Sequence, residues 1–272
     1  MKNKYSKVTF AQVRKTCIEN RFFPYVSILD KIFAPPAIRL TWFFLRMGFS
    51  AFYVSWISAA FVIVGSFGLA SNNHYLILAG SFGYICFFLM DYVDGGVARY
   101  SGTAGMSGQY VDWIIHIIAA VATMSGLFAG ALISSDTWII PFGILGIVAS
   151  ALNTGRFSMG WYALCMERQQ RRAKSKDLRL PSDFRYLPNS RSLFYNLIRK
   201  SSTFLFHENY AIFLLPLLAF ANLFLPDNLP DFRVVMVTLS GSLYFLVMFL
   251  EIKRIYTDRE IDEAYRKMFF DE

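Results

Sequence analysis

The chain has 272 residues, of which 55% are hydrophobic, 18% aromatic and only 17% charged, with a mean hydropathy of +0.39. That balance excludes an ordinary soluble domain and reads as a polytopic membrane protein. The formal charge of +8 has no basic soluble domain behind it, so no nucleic-acid partner is expected; positive-inside topology and anionic lipid headgroups account for it.

Residues 1–50 form a cytosolic or interfacial N-terminal segment. Its first 21 residues are mixed and charged rather than basic followed by a continuous apolar core, so no cleavable signal peptide is expected. Residues 22–49 alternate apolar residues with Asp30, Lys31, Arg39 and Arg46 around Pro35 and Pro36. This suits a helix lying in the membrane interface, and equally a simple anchor for the first span.

Six apolar segments of spanning length follow, at residues 51–70, 75–98, 108–134, 138–162, 209–225 and 234–250. The second is clean only to Met90, and the fifth is short and carries Pro216. Together, residues 51–256 make one six-helix membrane domain with a basic cytosolic loop at 167–208, and residues 257–272 form a cytosolic tail. Lysine and arginine collect in residues 1–48, in the 167–208 loop and at Lys253 and Arg254. The turns at 71–74, 135–136 and 226–231 contain neither. The positive-inside rule therefore predicts cytosolic termini in a cytoplasmic membrane, with residues 91–116 at the cytosolic ends of the second and third helices. Cys17, Cys86 and Cys165 show neither metal-ligand spacing nor a pairing pattern. His74 and His207 read most simply as interface residues.

The segment from Asp91 to His116 puts three carboxylates inside this apolar sequence. An ionised side chain at membrane depth costs at least ~2.5 kcal/mol, so such a residue marks a functional site by default. Asp91 and Asp94 are three apart and Asp112 and His116 four apart, so on helices each pair shares a face. Two such faces suit a divalent cation bound with substrate phosphates. Gly95, Gly96, Gly102, Gly105 and Gly108 permit close approach of a bulky ligand, and Arg99 offers a forked cation to phosphate oxygens. Solvated interface carboxylates and glycines used for helix packing are the plain alternative for any one of these residues.

The segment resembles the signature of the CDP-alcohol phosphotransferases, D-x2-D-G-x2-A-R-x8-G-x3-D-x3-D. Asp91, Asp94, Gly95, Ala98, Arg99, Gly108 and Asp112 match with every spacer kept, and His116 replaces the last aspartate. A milder departure is Ser50-Ala51-Phe52-Tyr53, where members often have a Pro-Asn pair entering the first span. The resemblance implies an all-α enzyme with six transmembrane helices, a homodimer, which moves a substituted phosphate from a CDP-linked alcohol donor to an acceptor hydroxyl and releases CMP. It implies Asp91, Asp94, Asp112 and His116 as ligands of divalent metal, Mg2+ with Mn2+ as the alternative. It also implies Asp94, Gly95, Ala98, Arg99 and Gly108 as the CDP and phosphate site, and His116 with Asp112 as the catalytic pair.

Histidine removes one negative charge from the ligand set and suits manganese, iron or zinc better than magnesium. As a neutral imidazole it is also a better-matched base near neutral pH. Working base, metal ligand and weakened or redirected activity all remain open on sequence. Asn153, Thr154 and Arg156 interrupt the fourth segment, with acceptor binding and snorkelling to the interface as the two readings for Arg156. The run Arg168, Arg171, Arg172, Lys174 and Lys176 would attract a phosphorylated acceptor or simply enforce topology. Rival functions are an intramembrane prenyl-diphosphate transferase and a non-catalytic or degenerate CDP-binding protein.

Overall fold

The computed structural model describes residues 5–19, 28–135, 137–153, 208–224 and 230–257. Among them there is no strand, and the helices are α1 (Phe10–Glu19), α2 (Ile28–Met47), α3 (Ala51–Leu69), α4 (His74–Ser101), α5 (Met106–Ser134), α6 (Thr137–Asn153) and α7 (Glu208–Ala221). The last segment is α8 (Phe232–Leu239), a π-helical turn (Ser240–Tyr244) and α9 (Phe245–Thr257). The described residues are all-helical, with helices of the length and apolarity of a membrane protein. The apolar helices turn side chains such as Val64, Phe67 and Leu217 outward, each more than 60% exposed, as a bundle solvated by lipid rather than water requires.

Four helices among the described residues are long and apolar enough to cross a membrane: α3, α4, α5 and Phe232–Leu250. The other two of the six expected spans are described only in part. The fourth expected span is described only as the 17-residue α6, its remainder at 154–162 lying outside the described residues. The fifth is described as the 14-residue α7, which carries Pro216, with the residues directly before it outside the described ones. The 167–207 part of the basic loop, residues 22–27 of the N-terminal segment, residues 258–272 of the tail, Thr154, Arg156, Cys165 and His207 also lie outside the described residues. Within the N-terminal segment, α2 packs against α4 and buries Phe33, Ala34, Ala37, Ile38 and Leu45. Its prolines do not end it.

The most extensive contact among the described helices is between α3 and α4, which run antiparallel across the turn at 70–73. The tetrapeptide Gly-Ser-Phe-Gly occurs at 65–68 in α3 and again at 80–83 in α4, and the four glycines face each other. A Cβ on Gly80 would lie 2.5 Å from the Gly65 carbonyl oxygen, and one on Gly83 would lie 2.9 Å from the Gly65 Cα. Only glycine allows two backbones this close. α5 joins the same layer, with Gly126 against the Ser66 backbone and Gly130 against the Leu69 carbonyl. α3 therefore lies against both α4 and α5, which make far less contact with each other.

The turn ends of these helices are tied by one buried cation. Asn73 caps α4 by accepting from the Tyr75 and Leu76 amides, and Asp231 caps α8 by accepting from the Arg233 amide. The Arg233 guanidinium, 1% exposed, donates to the Leu69 and Ser71 carbonyls at 2.8 and 2.6 Å, to Ser134 Oγ at 3.1 Å and to Asp231 Oδ2 at 2.6 Å. Leu69, Ser71, Ser134 and Asp231, in or beside the three arginine- and lysine-free turns, thus meet at one end of the bundle. Arg233 enters there because α8 begins two residues before the expected start of the last span. Burial alone would raise the Asp231 carboxyl, but hydrogen bonds and charge from Arg233 and the Ser134 hydroxyl outweigh it and hold the group below the usual carboxylate range.

Two stability measurements follow. Asp231→Asn leaves the buried guanidinium uncompensated and is expected to lower stability by on the order of 3 kcal/mol in thermal unfolding. Because the folded carboxyl is the more acidic, its contribution is intact above the ordinary carboxylate range and is lost as pH falls through the depressed value, so the deficit of the variant should shrink in acid. Gly80→Ala should destabilise by ~1–3 kcal/mol through overpacking. Gly105→Ala, at an extended backbone position with open space around it, should change stability by less than about 0.5 kcal/mol; equal losses at the two glycines would refute the close crossing.

Candidate functional site

The end of the bundle opposite Arg233 holds the carboxylates. α4 continues through Asp91 and Asp94 and stops at Gly102, whose φ of 70° is left-handed. Thr103 N donates to the Ala98 carbonyl at 2.9 Å and Gly102 N to the Arg99 carbonyl, a Schellman-type stop. The short turn to Gly105 then starts α5 with Gly108, Asp112 and His116 one turn apart on a single face. The helices thus reach further than the expected spans ending at residue 98 and starting at 108.

This hairpin brings Asp91, Asp112 and His116 together. His116 Nε2 lies 3.1 Å from Asp91 Oδ1 and 3.5 Å from Asp112 Oδ1. One ligand atom from each of the three residues lies within 4.8 Å of the other two. For bonds of about 2.1 Å, adjacent ligands of a divalent cation sit about 3 Å apart, so this donor set fits one cation with small adjustment. Side-chain exposure falls from Asp112 (37%) to Asp91 (25%) to His116 (16%); the imidazole is the innermost of the three. The buried Phe87 ring meets it edge-on with centroids 5.4 Å apart and fixes its plane, leaving Nε2 toward both carboxylates.

Asp94 lies outside that triad. It is 8% exposed and its Oδ2 accepts from Ser55 Oγ at 2.5 Å. Gly95 lies beneath Arg99: a Cβ there would sit 2.9 Å from Nη2 and 3.0 Å from Nη1. The missing side chain lets the guanidinium fold back one turn along α4 toward Asp91, rather than opening a path for a ligand's backbone contact. Gly96 is buried inside α4. Ala98 is half-buried and its carbonyl serves the helix stop. Gly108, like Gly102 and Gly105, borders open space. The three glycines thus leave open space at the exposed end of the hairpin, with a guanidinium on one wall and the triad at its inner limit. Asn153 ends α6, half-buried, while its expected companion Arg156 is not among the described residues.

Sequence reasoning missed Ser55 and the seat of Arg99. The repeated Gly-Ser-Phe-Gly was the available signal for Ser55, since pairing the two copies antiparallel fixes which α3 residues face the end of α4. For Arg99, the spacing of four from Gly95 places both on one helix face. The chain matches no protein-family model and no curated protein sequence.

Proposed function

We propose that the protein is a metal-dependent CDP-alcohol phosphotransferase acting on the cytosolic side of the cytoplasmic membrane. The convergence of Asp91, Asp112 and His116 from two helices, within a signature whose spacers are all kept, is the observation that carries this reading. In it, α6 and α7 complete two shorter or tilted spans to give six, and α1 and α2 lie in the interface. The working unit is a homodimer.

The reaction joins the acceptor oxygen to the β-phosphorus of the donor and breaks the bond from that phosphorus to the oxygen bridging to the α-phosphate. CMP leaves with that bridging oxygen. Asp91, Asp112 and His116 Nε2, with Asp94 beside them, hold the divalent cation, magnesium or manganese. When bound, the cation supplies charge compensation for the diphosphate and the leaving CMP. Arg99, folded over Gly95, binds a phosphate oxygen as a forked donor, and Gly108 leaves room for the donor. Of the two roles open to His116, ligand is favoured, because the nitrogen facing the carboxylates is the one a base would need free. Asp112, the most exposed of the three, then takes the acceptor proton on its outer carboxylate oxygen. Asn153 and Arg156 are assigned to the acceptor, and the basic loop to attraction of a phosphorylated one.

CMP release by reconstituted protein, with a panel of CDP-linked donors and hydroxyl acceptors, tests this. Asp91→Ala and Asp112→Ala should each lose at least ~100-fold in turnover, the usual scale for removing part of a preorganised charge-stabilising site. His116→Asp should gain activity with magnesium relative to manganese, because oxygen ligands suit the harder ion. Wild-type turnover in either alanine variant, or turnover of a prenyl diphosphate and of no CDP-alcohol, would refute the assignment.

A further inference from the structure

Ser55 lies in the first span, 39 residues from the aspartate it touches, and no part of the aspartate signature includes it. Its contact is set by the glycine crossing. From Gly65 back to Ser55 is ten residues and from Gly83 on to Asp94 is eleven, so the two side chains lie ~15 and ~16.5 Å along antiparallel axes from the same contact. The register that brings the glycines together therefore brings Ser55 against Asp94.

The Ser55 hydroxyl has one proton and two acceptors in reach: its own helix's Ala51 carbonyl at 3.1 Å and Asp94 Oδ2 at 2.5 Å. The Asp94 contact is the shorter of the two, and the Ser55 hydroxyl donates to it. Ser55 is itself only 6% exposed, and its backbone carbonyl accepts from Ser58 Oγ at 2.6 Å. Asp94, by contrast, has the triad on one side and α3 on the other, and its carboxylate needs a partner there to fix which oxygen turns toward Asp91 and Asp112.

Resting on the transfer function proposed above, we infer that Ser55 is a positioning residue: its hydroxyl locks the Asp94 carboxylate so that the remaining oxygen completes the cation and phosphate site formed by Asp91, Asp112 and His116. α3 then contributes to the site without a carboxylate of its own. Partners of this outer kind typically change metal affinity or activity by ~10–100-fold when removed.

The test is Mn2+ binding by the full-length protein in lipid nanodiscs, followed by the free-ion EPR signal, with thermal unfolding of each variant alongside. Ser55→Ala should weaken Mn2+ binding by about 10–100-fold, Ser55→Thr should restore it, and Ser55→Ala should add nothing in an Asp94→Asn background. Should Ser55→Ala fail to fold, Ser55→Cys, close in shape but a weak donor, replaces it and should fall between serine and alanine. Wild-type Mn2+ affinity in Ser55→Ala, or an undiminished loss on top of Asp94→Asn, overturns the positioning role. CMP release by the same preparations separates the two claims. Serine-dependent Mn2+ binding without CMP release refutes the transfer reaction and supports the positioning role, whereas a wild-type protein that binds no Mn2+ overturns both.

Discussion

Direct backbone contact between α3 and α4 at Gly65, Gly68, Gly80 and Gly83 is the constraint on which the remaining geometry depends. In lipid, helices gain little from burying apolar surface against each other, so close packing of small residues decides which pairs associate. Here that contact fixes both separation and register. Sixteen or so ångströms along the helices from the crossing, by helical rise, the register emerges as the Ser55–Asp94 hydrogen bond. α5 is drawn onto the same ridge by Gly126 and Gly130 and so delivers Asp112 and His116 to Asp91.

The bundle buries charge at both ends and resolves the cost differently at each. At the Arg233 end every donor of the guanidinium is engaged, by a carboxylate, two carbonyls and a hydroxyl taken from three segments. A buried cation so completely matched ties those turns together and leaves no valence for a ligand. At the other end Asp91 and Asp112 meet the His116 imidazole, and Asp94 meets the Ser55 hydroxyl. Two carboxylates and an imidazole converging from two helices form a donor set that a small cation complements.

Much of this was legible in the chain. The apolar composition set the class, and the spacings of three and four gave the shared faces on which Asp91, Asp112 and His116 converge. What sequence misjudged was extent: α4 and α5 run through the carboxylates to the Gly102 stop, because a Schellman cap and not the first charge ends the helix. α7 runs through Pro216 without a break, and only 14 of its residues are described. Pairing across α3 and α4 was also invisible to a scan for hydropathy, since glycine contributes little to it, and Ser55 as a single hydroxyl in an apolar helix carried no signal of its own. Arg233 escaped notice because its chemistry is local in space but distant in sequence, with partners at residues 69, 71 and 134.

The most direct test of the site is pulsed EPR of Mn2+ bound to the reconstituted wild-type protein, with and without CDP. The expected spectrum carries a nitrogen hyperfine coupling from the His116 imidazole, absent in His116→Asp, and gains a phosphorus coupling when CDP is added. Bound Mn2+ showing neither coupling would contradict a metal-diphosphate site at Asp91, Asp112 and His116.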